Sequence, residues 1–150
     1  MIMANEMMKF HGSMVAVLEK GDGSVEVIRK DNLILNVGYD FICDAIGNNA
    51  SRPAVMQQIA IGTNSTAVVA THTALQTELL RKASTYAHTA STKVMTFTST
   101  FNPGEATGAI VEAGVVNAST AGIFLDRVTF SVINKGADDT LTVTFQFTLS

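Results

Sequence analysis

Asp139-Thr-Leu-Thr-Val-Thr-Phe-Gln-Phe-Thr-Leu149, at the C-terminus, sets an apolar side chain at every second position. Leu141, Val143, Phe145, Phe147 and Leu149 share one face, while Thr140, Thr142, Thr144, Gln146 and Thr148 share the other. Side chains alternate across a strand, so this is the pattern of a strand dry on one side and polar on the other. Thr, Val and Phe also suit a pleated, half-buried surface. A strand of this length needs neighbours on both edges and a second layer over its phenylalanines.

The residues upstream offer those neighbours. Ile123–Ile133 alternates, with Phe124, Val128, Phe130 and Val132 expected inward, and Lys135–Asp139 is a turn expected to make a hairpin with the final strand. Ala109–Val116 reads as a strand interrupted at Gly114, where a bulge or bend is expected. In Lys93–Phe101, Met95, Phe97 and Phe101 face one way, and Asn102-Pro-Gly104 turns the chain. Nearer the N-terminus, Met14–Leu18 and Val25–Ile28 flank the turn residues Lys20–Ser24 as a hairpin. Leu33 and Leu35 suggest a short extended piece, and Gln58–Gly62 is a short buried strand.

Two short helices are expected between these groups. Phe41, Ile42, Ala45 and Ile46 recur at helical spacing before Gly47, which predicts a helix over 39–46 whose apolar side seals one end of the fold. Thr73-Ala-Leu-Gln76 has the form of a capping box, and Leu75 and Leu79 align at i,i+4. That predicts a second helix over 74–81. The sum is a mainly β chain: an antiparallel β-sandwich, jelly-roll-like, spanning 13–150 as a single domain behind an N-terminal extension over 1–12.

Composition narrows the chemistry. Of 150 residues only 15% are charged against 47% hydrophobic, which leaves apolar surface for partners to cover. The net charge of -3 does not favour a phosphate backbone, so no nucleic-acid partner is expected. The start of the chain lacks the basic and apolar regions of a signal peptide, and no apolar run reaches membrane-spanning length. No membrane partner is expected, and the protein is expected to be made in a cytoplasm. Cys43 is the single cysteine, which excludes an intrachain disulfide.

His11, His72 and His88 lie in no zinc-type spacing, no GxSxG elbow is present, and Glu105 with Glu112 makes only a weak candidate carboxylate pair. No catalytic, metal-binding or cofactor-binding residue is expected. Five of the seven methionines fall within the first fourteen residues. Flexible thioethers fit irregular apolar surfaces, so Met1, Ile2, Met3, Met7, Met8 and Phe10 are expected to act as an arm lying on a neighbouring subunit.

Three blocks together resemble a known class. Ile59-Ala-Ile-Gly-Thr63, Thr73-Ala-Leu-Gln-Thr-Glu-Leu-Leu-Arg81, and Glu112-Ala-Gly-Val-Val-Asn-Ala118 leading to Arg127-Val-Thr-Phe130 and Asp139-Thr-Leu-Thr-Val143 are similar to small structural proteins of tailed bacteriophage virions. These include head decoration, cement and tail-associated proteins, and the similarity covers residues 30–149. Many such sequences place an Asp before the Thr-x-Leu segment, where His72 stands here. Glu78, Arg81, Glu112 and Arg127 match charged positions of the pattern and are expected to form ion pairs fixing the middle of the chain to the β framework.

The resemblance implies a virion location and a capsid decoration or cement protein that bridges neighbouring subunits. Its expected partners are the major capsid protein and further copies of itself, as a dimer or trimer. The arm and an exposed sheet edge are the expected means of attachment. Alternatives are a tail component contacting tail proteins, such as a baseplate or fibre-attachment protein, and a carbohydrate-binding module, the last disfavoured by the absence of tryptophan.

Overall fold

The computed structural model describes residues 7–150. In chain order the elements are β1 (Phe10–Glu19), β2 (Val25–Ile34), α1 (Asn36–Gly47), β3 (Gln58–Gly62), β4 (Glu78–Ala83), β5 (Thr85–His88), β6 (Val94–Phe101), β7 (Gly108–Val116), β8 (Asp126–Lys135) and β9 (Thr140–Leu149). The C-terminal strand holds a central place. β9 pairs antiparallel with β1 over its whole length and with β6 over eight residue pairs. Leu141, Val143, Phe145 and Phe147 are buried, while Leu149 is partly exposed at the strand's end. On the opposite face the hydroxyls of Thr98 and Thr144 meet at 3.1 Å and those of Thr100 and Thr142 at 3.2 Å, cross-strand pairs that reinforce the register.

All the strands join one nine-stranded antiparallel sheet in the order β4-β3-β7-β8-β2-β1-β9-β6-β5, nearly closed into a barrel. Its shape follows from two unequal joins. The five strands β2-β1-β9-β6-β5 and the four strands β4-β3-β7-β8 face one another, and β2 meets β8 through just two residue pairs, Leu33 with Arg127 and Ile34 with Asp126. On the far side β4 runs through the single residue Ser84 into β5, so one bent strand belongs to both halves. The Ser99 hydroxyl of β6 donates to the Lys82 and Ala83 carbonyls beside that bend, at 3.2 and 3.0 Å. The chain fills the halves alternately, hairpin by hairpin, and β9 returns to lie between β1 and β6.

The interior is apolar and aromatic. Met14, Leu18, Phe97, Phe101 and the inward residues of β9 meet Ile59, Ile61, Ile110, Val115 and Val128 across it. Phe147 is at the centre of an aromatic group, with ring centroids 5.3 Å from Phe10, 6.0 Å from Phe97 and 6.2 Å from Phe145. Truncating one such ring to Ala costs about 3–5 kcal/mol.

Several expectations need correction. The helix over 74–81 is absent, and Glu78–Ala83 is strand β4. An unpaired β3 edge recruits these residues, and tertiary pairing overrides their helical leucine spacing. The helix over 39–46 is present but begins three residues earlier, at Asn36. β8 and β9 do not form a hairpin with each other. β8 pairs with β7 and β2, so the turn over 135–139 carries the chain from one half to the other.

Gly114 sits in regular pairing with Ala60, and the register shift of β7 lies between Ile110 and Glu112. What Gly114 provides is closeness, since a Cβ there would lie 2.6 Å from the Asp126 carbonyl oxygen. The same irregularity in β8 turns Ile133 inward and leaves Val132 exposed. Phe10 opens strand β1, so the β framework begins there and not at residue 13. The terminal strands β4 and β5 continue into each other, while along β2 the residues Val25–Asn32 pair with β1 alone and leave their other edge open.

Candidate functional site

The buried pair Glu112 and Arg127 lies on the outer face of the four-stranded half. Ile59 and Ile61 point into the barrel, so Ala60 points away, into a second small core with Leu35, Leu75, Val116 and Phe124. The segment over 63–77, without regular structure, lies over this face. Its backbone groups need partners, and Glu112 supplies them. The carboxylate accepts from the Thr77 amide at 2.8 Å, the Gln76 amide at 3.0 Å and the Asn64 amide at 3.3 Å. It also accepts from Arg127 Nε at 2.8 Å, and both side chains are fully buried. Arg127 in turn donates through Nη1 to the Thr66 carbonyl at 2.9 Å and through Nη2 to the Asn64 carbonyl at 3.2 Å. His72 Nδ1 lies 3.4 Å from Arg127 Nη1 and from the Val69 amide, a geometry in which the ring nitrogen accepts.

Glu78 and Arg81 form a second clasp. Arg81 Nε and Nη2 donate to the two Glu78 carboxylate oxygens at 2.7 and 2.6 Å. Residues three apart on a regular strand point to opposite faces. Here Leu80 pairs with Ile61 and Glu78 with Gly62, so Leu79 is an extra residue that restores the common face. Arg81 Nη1 also donates to the Ala118 and Ala121 carbonyls at 2.9 and 2.8 Å, and the guanidinium lies 5.5 Å from the Phe124 ring centroid. The four charged residues singled out in the sequence thus stand in two separate pairs, both tying loops to the four-stranded half.

Asp126 is a buried carboxylate of another kind. It accepts from the Val115 amide at 2.9 Å and from Asn32 Nδ2, and burial pushes its pKa up to about 7. Among the described residues the Asn32 Oδ1 has no partner.

A large concave surface lies elsewhere, at the end of the barrel where β1 begins and β9 finishes. It is an apolar hollow of about 1120 Å³ between α1 and the strand ends. Tyr39, Phe41, Ile42 and Ile46 of α1 line one side, with Val55 and Met56 from the following loop, and Phe10, Tyr86, Met95, Phe97 and Leu149 line the other. Met8, Lys9, His11 and Cys43 complete it. The helix forms because its apolar residues recur at its own period, but it is poorly capped: Leu35 at its start makes no side-chain cap. A helix of 12 residues is marginal alone and depends on docking. The docking point is Gly38, where a Cβ would lie 2.0 Å from the Leu125 carbonyl oxygen. Beyond that point Phe41 and Ile42 still pack partly on the core, while the end of the helix and the loop after it stand in the open. Ile46 is 73% exposed and Val55 74%. The expected seal is therefore incomplete, because α1 covers the barrel end and leaves a hollow beneath.

Of the expected arm, Met1, Ile2 and Met3 lie outside the described residues. Met7 and Met8 are 68% and 71% exposed, and Phe10 belongs to β1, stacked on Phe147. Sequence reasoning named the helix but not the hollow; its signal was Tyr39, Ile46 and Val55, apolar residues in surface positions. Among the described residues no three His, Cys, Asp or Glu side chains are grouped to hold a metal ion, and no helix is long and apolar enough to cross a membrane. Compared with protein-family models, curated proteins and solved structures, the chain finds no match.

Proposed function

We propose that this chain is a virion structural protein of a tailed bacteriophage, a capsid decoration or cement protein that stabilises the head by bridging neighbouring capsid subunits. The observation carrying this reading is the open apolar hollow under α1, a docking surface on a frame whose buried Glu112 and Arg127 are fully engaged in holding loops. An apolar concavity of this extent is characteristic of an interaction site. The reason for placing it in a particle is the resemblance of the three sequence blocks to phage structural proteins, and the low charge content agrees with a surface covered on assembly.

In this reading the flattened barrel serves as a sandwich-like body with jelly-roll-like wrapping, in which hairpins alternate between facing halves. Its partners are the major capsid protein and further copies of itself, and its location is the virion after synthesis in the host cytoplasm. Quantifying the band in a gel of purified particles tests the assignment. A copy number comparable with that of the major capsid protein supports the head. One at the level of tail proteins moves the protein to the baseplate or fibres, and absence from particles refutes a virion role. Tyr39 and Tyr86 both line the hollow, so saturable glycan binding by the isolated protein would favour a carbohydrate-binding module.

A further inference from the structure

The hollow and the methionine-rich N-terminus meet at one rim. Met8 and Lys9 line the hollow, and Lys9 is fixed there by exchanging backbone hydrogen bonds with Ser150 at 2.6 and 3.0 Å. Ahead of this anchor the sequence runs Met1-Ile-Met-Ala-Asn-Glu-Met-Met8, five of its eight side chains long and apolar. Extended, eight residues reach about 26–29 Å, enough to cross a neighbouring molecule's hollow. The lining is also suited to them, since thioethers pack favourably on aromatic rings and Phe10, Tyr39, Phe41 and Tyr86 all face this space.

We propose that the hollow receives the N-terminal segment Met1–Met8 of a second copy of this chain, exchanged reciprocally so that two copies seat end to end. The inference rests on reading the hollow as an assembly surface and holds whether or not the assembly is a virion. Met7 and Met8, at the rim, are 68% and 71% exposed, so their own hollow does not bury them. These exposed methionines and the concavity share one end of the molecule, which is the self-complementary arrangement a two-fold contact requires. The exposed Met7, Met8, Ile46 and Val55 would then be covered together.

Cys43 lines the hollow, is exposed, and is the chain's single cysteine, so it reports on the occupant directly. The Met3→Cys variant of the full chain, oxidised with diamide, should give a disulfide-linked dimer whose peptide map joins position 3 of one copy to Cys43 of the other. An intrachain link between the same positions, or no such link, overturns the proposal. As a second measurement, removing residues 1–6 should convert a sedimenting dimer to monomer and speed labelling of Cys43 by a thiol reagent roughly tenfold. Unchanged association and labelling would also overturn it. Both use purified protein, so a failure here is separable from a negative particle gel, which bears on the virion alone.

Discussion

The outer face of β3 and β7 and the barrel end under α1 are each covered by one excursion of the chain, yet the first is sealed and the second is open. The seal is made by the segment over 63–77, which has no regular structure, while the opening lies under a regular helix. The difference follows from where backbone hydrogen bonds go. An irregular segment packed on a sheet cannot satisfy its own amides, so it lies down only where acceptors are provided, and Glu112 provides them for three. A helix satisfies its own backbone. It is held by the close Gly38 contact and by Phe41 and Ile42 packed on the barrel core, and it leaves Tyr39 and Ile46 exposed to another molecule.

The largest effect expected comes from breaking the sealed side. Glu112→Gln or Arg127→Met leaves a buried charge without its partner and should lower the unfolding free energy by about 3–5 kcal/mol in urea melts. The double replacement sharpens the point. An ordinary buried ion pair is often replaceable by apolar residues without loss, but in Glu112→Leu with Arg127→Met the Gln76 and Thr77 amides would lack an acceptor. The double variant should therefore remain destabilised, and recovery to wild-type stability would show that the loop does not depend on Glu112.

Asp126, buried without a cationic partner, gives the next effect. Its folded pKa of about 7 stands above the ordinary value of 3.8, so the folded state holds the proton more tightly. Its favourable contribution is complete below pH 4 and is lost as pH rises through 7. The gap between the folded and ordinary values corresponds to roughly 4 kcal/mol at full ionisation. An amide in its place can accept from Val115 and, with the Asn32 amide turned over, donate to the Asn32 oxygen. Asp126→Asn should thus stabilise the protein at pH 8 by an amount approaching that figure, with the gain vanishing below pH 4. A gain independent of pH would remove ionisation as its cause.

The smallest expected effect on stability tests the open side. Ile46→Asp, at a position mostly in solvent, should change the unfolding free energy by no more than about 0.5 kcal/mol. The same change should abolish self-association in sedimentation. Retained association would mean that the hollow is not the contact surface.

Much of this contrast was hidden in the sequence for physical reasons. Period-2 alternation disclosed β9 and β6, because each buries one face along its length, while the turn residues over 20–24 marked the β1–β2 hairpin, whose second strand is largely exposed. The capping-box form of Thr73–Gln76 and the i,i+4 spacing of Leu75 and Leu79 misassigned β4, whose bulge at Leu79 brings Glu78 and Arg81 onto one face of a strand. Turn residues over 135–139 marked a reversal without saying which half of the barrel follows, since local chemistry does not encode the strand's next partner. The charges of the sealed side were named from resemblance, and their division into two clasps depends on contacts between distant segments. The hollow was illegible because an apolar helix face reads the same whether it is pressed against a core or held away from it.

The pairing of Lys9 with Ser150 has a mechanical meaning. β1 and β9 are antiparallel neighbours, and their free ends emerge side by side. Tension applied between those ends would open the two strands like a zipper, one rung at a time, the geometry of least resistance to force. A module carried in that way would tear readily, whereas one gripped across its flank would share the strain among many rungs at once. Whatever stress this protein withstands is best borne sideways.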